Sequence, residues 1–235
     1  MKKIYENLLY YYLLFIVFVF PIIPKEINTV LKIIPLRIFL ILIFVVIFIY
    51  DTIFRKNKIG KANHKFWFLP LLLLFFMLLG IFVALDKVLF LYTFCKFLAI
   101  FALIYIISRY KFDKKAINNI FDTLLLSATI TCIIGIVQLF LRTSLNYNGI
   151  TKYPGAIGRI ESTFHNPIYL AMFLFVASVV VIYKLYFEEK KYKKYGYMLY
   201  LLIYMITMFL TYTRSVAIIY SIFIFIATIY GYLKK

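Results

Sequence analysis

Few residues in this chain could do chemistry, and they fall in three places. The first is RIESTFHN, where Arg159, Glu161, Ser162, Thr163, His165 and Asn166 follow one another closely. Arg holds anions through paired, charge-assisted hydrogen bonds, and Glu and His can carry protons. Pro167 follows, and Pro suits the first position of a helix, so Asn166 is expected to be the N-cap. The free N–H groups of that helix start would then favour an anionic ligand. The second place is TYTRS, Thr211 to Ser215, where Arg214 stands between two apolar runs. An Arg within hydrocarbon costs at least about 2.5–3.5 kcal/mol, so it either faces a polar cavity or reaches out to lipid phosphate, and spacing leaves both readings open. The third is Lys96, roughly 12 Å down a helix that starts at Val88; a cavity-facing Lys and a snorkelling Lys both fit.

The elements that must position these groups are set by composition. Of 235 residues, 65% are hydrophobic and 15% charged, with a mean hydropathy of +0.96. Soluble domains and disordered chains are both excluded by such values. Crossing a bilayer core takes about 20 mostly apolar residues. Eight runs approach that length: Leu8 to Ile23, Pro35 to Tyr50, Phe66 to Leu85, Val88 to Ser108, Ile117 to Leu141, Pro167 to Phe187, Tyr195 to Thr213 and Ser215 to Leu233. The expected fold is all-α, a polytopic integral membrane protein with about eight transmembrane helices forming one domain over residues 1–235.

The net charge of +18, from 27 Lys and Arg against 9 Asp and Glu, fits this layout better than nucleic acid binding. With the N-terminus inside, 18 of the cations fall in cytoplasmic segments and eight in outer ones. That bias places both termini in the cytoplasm of a multi-pass protein and adds attraction to anionic membrane lipid. Met1 to Pro24 has the basic start of a signal peptide but no small-residue cleavage site, and reads as an uncleaved first span. Cys95 and Cys132 lack metal or redox spacing and read as small buried residues. EEKKYKK, Glu188 to Lys194, reads as a solvated cytoplasmic turn, Asp122 as interfacial, and Gln138 as a bridge between helices. The outer loop 142–166, RTSLNYNGITKYPGAIGRIESTFHN, is long enough to expect a function.

Gly158 to Leu174, GRIESTFHNPIYLAMFL, resembles the signature of the O-antigen ligase and O-antigen polymerase family, in which an external Arg precedes a Gly-Thr-Phe-x-x-Pro-Asn type sequence at a helix start. LTYTRSVAIIYS, Leu210 to Ser221, is similar to the family's Thr-x-Ser-Arg-Gly segment, with Arg214 at its Arg. GIFVALDKVLFLYTFCKFLAIFALIY, carrying Lys96, is similar in layout. Ser162 stands where the family usually has Gly, and Ile168 where it often has Asn. The likeness runs along the whole chain but corresponds to the N-terminal part of a typical member; the family's large external loop, with a catalytic His, has no counterpart.

The resemblance implies a membrane glycosyltransferase of the bacterial cytoplasmic membrane in polysaccharide biosynthesis. It would transfer glycan from a polyprenyl diphosphate donor to an acceptor at the outer membrane face, with no metal and no cofactor. Arg159, Arg214, Lys96 and Asn166 would then bind the diphosphate, and His165 or Glu161 would serve as catalytic base. The expected partners are the polyprenyl-diphosphate-linked glycan, membrane lipid and other polysaccharide-assembly proteins, with no nucleic acid. Two other classes stay open: a multispan transporter or flippase of lipid-linked oligosaccharide, and a noncatalytic remnant.

Overall fold

The computed structural model describes residues 8–24, 36–55, 64–109, 112–141, 143–146, 149–152, 159–164 and 166–233. Among them are eight α-helices: α1 Leu8–Ile22, α2 Leu36–Arg55, α3 His64–Leu79, α4 Lys87–Arg109, α5 Lys114–Leu141, α6 Pro167–Phe187, α7 Lys191–Leu210 and α8 Arg214–Leu233. Each coincides with one of the eight apolar runs. By length and composition, three stretches can cross a membrane: Lys87–Ser108, Lys114–Leu141 and Pro167–Phe187. The others are shorter in apolar length, or, like α7, carry a first turn crowded with Lys.

Carboxylate and amide side chains start several of these helices by taking up amides that have no partner in the first turn. Asp86 Oδ1 accepts from the N–H groups of Val88 and Leu89, both at 2.9 Å. Asp113 Oδ1 accepts from Ala116 N–H at 2.7 Å. Asn166 caps α6 as expected, accepting from Ile168 N–H at 2.8 Å, with Pro167 at the first helical position.

The long connection between α5 and α6 is not wholly irregular. Strands β1 (Thr143–Asn146) and β2 (Gly149–Lys152) form an antiparallel hairpin, with Thr143 opposite Lys152 and Asn146 opposite Gly149. The helical reading therefore holds for the bulk of the chain, with this small sheet added. Its one sequence signal was Asn148-Gly149, a dipeptide common in hairpin turns. Neither strand has the alternating apolar pattern that would have announced it.

The chain divides into two compact units. Unit 1, Met1–Ile16 with Asn28–Ile117, holds the first part of α1 and helices α2 to α4. Leu9, Leu13 and Ile16 line the buried face of α1, and Leu40, Ile41 and Phe44 that of α2. Tyr12 stacks on Phe44 and donates its hydroxyl to Leu40 O at 3.2 Å. Cys95, expected to be buried, is exposed, although helical spacing puts it on the same face of α4 as the buried Ala99 and Ile106; what differs is which length of that face is covered, and α4's own sequence does not carry that.

Unit 2, Val17–Ile27 with Asn118–Lys235, carries the denser core. Leu170, Ala171, Leu174, Ala177 and Val181 of α6 have no exposed surface and pack with Leu125, Ala128 and Cys132 of α5 and Tyr204 and Met208 of α7. Small residues let helices approach closely where lipid offers no hydrophobic drive to associate. Some polar groups within this core are bonded across helices. The Tyr204 hydroxyl donates to Leu125 O at 2.7 Å. About one turn back along α5, the Lys184 ammonium meets Asp122 Oδ1 and lies 5.9 Å from the centre of the Tyr197 ring. Asp122, expected to be interfacial, thus has a partner in Lys184.

The pair is asymmetric, since Lys184 is 8% exposed and Asp122 59%. Asp122→Ala should therefore destabilise unit 2 by about 1–3 kcal/mol, by stranding a buried ammonium. Lys184→Met should cost clearly less, because the carboxylate it frees can hydrate. Unfolding of the two variants in detergent, followed by circular dichroism, checks the order. In the turn that follows, the Glu188 carboxyl is held below its ordinary range by the Lys190 N–H and, more weakly, by Lys193, as befits a solvated turn.

Candidate functional site

The site forms where residues 159–164 are fastened onto unit 2. Arg159 Nε donates to Thr211 O at 3.0 Å, and Ile160 N–H donates to Leu210 O at 3.2 Å. Both acceptors lie at the C-terminal end of α7, where carbonyls lack helical partners and a cation is favoured. Arg159 is therefore a cap of α7 as well as a surface cation. The Ile160 side chain is 1% exposed and sits against Gly135 of α5, where a Cβ would overlap Ile160 Cγ2.

The rest of the segment is held from three sides. Ser162 Oγ donates to Thr131 O at 2.7 Å, and Gln138 Nε2 donates to Ser162 O at 3.2 Å. The bridging expected of Gln138 is thus made to the crossing segment. The Thr163 hydroxyl donates to Pro21 O of α1. Phe164 packs on Phe173 of α6, with ring centres 5.3 Å apart.

Ser162 has φ 53, a left-handed backbone that costs a residue with a Cβ about 1–2 kcal/mol and glycine nothing. Ser162→Ala and Ser162→Gly both delete the bond to Thr131 O, so the difference between them isolates the backbone. Ser162→Gly should be the more stable of the two by about 1–2 kcal/mol. Equal denaturation midpoints for the two would show that the left-handed backbone carries no such cost.

The turn from α7 to α8 is the second half of the site. Thr211 Oγ1 donates to Met208 O at 2.6 Å, and the Thr211 and Thr213 hydroxyl oxygens lie 3.0 Å apart. Tyr212 N–H donates to Phe209 O at 3.0 Å, and Thr213 O accepts the Ala217 N–H at 3.0 Å. These bonds hold Tyr212 at φ 52, unusual for so bulky a residue. Arg214 is the first residue of α8 and is exposed.

Arg159 and Arg214 line one cleft of about 520 Å³ together with Tyr212, Thr213, Phe209 and Ala217. Among the described residues its lining has two cations and no acid, so it suits an anion. Its apolar wall would suit hydrocarbon beside that anion. No family model, curated protein or solved structure matches the chain. The cleft must therefore be read from its own chemistry.

The other nominated residues are placed elsewhere. Asn166 has its side-chain oxygen committed to the cap of α6 and is not part of the cleft lining. Glu161 is half-buried next to the fastened segment, and its carbonyl accepts from Phe164 N–H at 3.2 Å. Lys96 belongs to unit 1, where its ammonium lies 3.8 Å from the centre of the Tyr92 ring, one turn back along α4. His165 lies outside the described residues. Sequence reasoning did not single out Tyr212, although TYTRS contains it, nor Gly135, whose closeness to Ile160 no local pattern announces.

Proposed function

We propose that this chain is a membrane glycosyltransferase of the O-antigen ligase or polymerase type, with eight spans and both termini cytoplasmic. One observation carries the reading: Arg159 and Arg214, each nominated from a separate motif, line the same cleft. The left-handed backbone of Ser162, at a position the resembled family fills with Gly, adds to it.

In this reading the two guanidinium groups hold the diphosphate of a polyprenyl-linked glycan. The acceptor hydroxyl oxygen bonds to the anomeric carbon, the bond from that carbon to the diphosphate oxygen breaks, and its electron pair leaves on the diphosphate. The hydroxyl proton passes to a base, for which Glu161 and His165 are the candidates in this chain. Charge accumulates on the leaving diphosphate, so fixed cations stabilise the transition state without needing to move.

Donor binding is the direct test, since it does not depend on which residue is the base. The purified chain in lipid nanodiscs should bind a polyprenyl diphosphate and prefer it to the uncharged polyprenol. Equal affinity for the two would remove the reading. Transfer of sugar to an added acceptor separates a glycosyltransferase from a flippase, which would bind the donor and release it unchanged.

A further inference from the structure

Tyr212 is held in a conformation that a glycine or asparagine would adopt at less cost, yet among the described residues its side chain makes no hydrogen bond and no aromatic contact. It is 64% exposed and lies at the cleft that Arg159 and Arg214 line. Its neighbours in the turn, Thr211 and Thr213, are buried and bonded to each other and to α7. A bulky residue kept where its backbone is strained and its ring is mostly exposed points to a partner outside the chain.

We propose that Tyr212 is the platform for the first sugar of the ligand, the ring attached to the phosphates that the two arginines hold. The inference rests on the donor-binding reading above and assigns to this site a subsite that the arginines alone do not provide. A phenol ring offers a flat apolar face and a polar tip. A pyranose has the complementary surfaces, a face of C–H groups and a rim of hydroxyls. The placement is also economical in position, because a sugar directly linked to a diphosphate must lie within one ring width of the cations that bind it. A bare lipid phosphate would engage the arginines and leave Tyr212 unused.

The experiment compares two probes, farnesyl diphosphate and its N-acetylglucosamine-linked counterpart, binding to the full chain in phosphatidylcholine nanodiscs. Wild type and Tyr212→Phe should both bind the sugar-bearing probe more tightly than the bare one. In Tyr212→Leu and Tyr212→Gly that advantage should fall about three- to tenfold, while affinity for the bare diphosphate stays within about twofold. Tyr212→Gly should also be at least as heat-stable as wild type, because the backbone strain is relieved. An unchanged sugar advantage in Tyr212→Leu would overturn the inference and leave Tyr212 as an anchor at the lipid interface. Loss of both probes in Tyr212→Phe along with Tyr212→Leu would overturn it too, since Phe keeps the ring. Binding of neither probe by wild type would instead sink the donor-binding reading, and the sugar platform with it.

Discussion

Arg214→Ala should weaken binding of a polyprenyl diphosphate roughly ten- to a hundredfold while barely moving the unfolding midpoint. The residue is exposed, and no side-chain bond fastens it among the described residues, so its removal takes a cation from the cleft and little from the fold. Arg159 should behave differently because it has two jobs. Arg159→Ala loses the cation and also the Nε bond to Thr211 O, so affinity and stability should fall together, stability by about 1 kcal/mol. Arg159→Lys keeps the charge but not the planar fork, and an ammonium cannot reproduce one bond to the turn and a paired grip on phosphate. Its affinity should lie between those of wild type and Arg159→Ala. Isothermal titration in nanodiscs, paired with thermal unfolding, reads both quantities. Affinity unchanged in both alanine variants would show that the anion binds elsewhere.

Gly135 gives the largest expected loss of stability. Any side chain there meets Ile160, which is buried and pinned through its own N–H to Leu210 O. Gly135→Ala gains helix propensity of about 1 kcal/mol but must push Ile160 or the whole fastened segment aside, an overpacking cost of about 1–3 kcal/mol. Gly135→Leu should exceed what the segment can absorb and release residues 159–164 from α5. Ile160→Ala alone should cost about 2–5 kcal/mol as a buried large-to-small change. The double variant Gly135→Ala with Ile160→Ala should be more stable than the sum of the two predicts, because the second change removes the atoms that the first collides with. Strict additivity in unfolding experiments would refute the contact. Gly135→Leu should also reduce donor binding, since Arg159 precedes Ile160 and loses its footing with it.

The helices were legible because nothing local competes with the pattern. Apolar runs bounded by Asp86, Asp113 and Asn166 specify both the element and its start, and the observed limits lie within six residues of those read from hydropathy. Which face of each helix turns inward was not legible. In helices apolar all round, burial is decided by where another element approaches, as it does at the small residues Ala171, Ala177 and Gly135 and at Ala99, but not at Cys95 one turn before it. The site was half legible. Motif and cost arguments named Arg159 and Arg214 separately, but their meeting depends on hydrogen bonds between residues 52 positions apart, which no local spacing encodes. Lys96 shows the opposite case: Tyr92, one helical turn earlier, was in view all along as a ring for the ammonium to rest on.

The bond from Thr163 to Pro21 joins positions 142 residues apart, and this bears on the order in which the protein can be made. The end of α1 emerges from the ribosome long before the hydroxyl that will serve its carbonyl has been synthesised. Until then that carbonyl has to find water or another partner, because a buried backbone oxygen left unpaired is costly. The last turn of α1 therefore cannot settle into its final surroundings until the segment that follows α5 has been made. A stall between the two should leave the early helices formed and the last turn of α1 without its final partner.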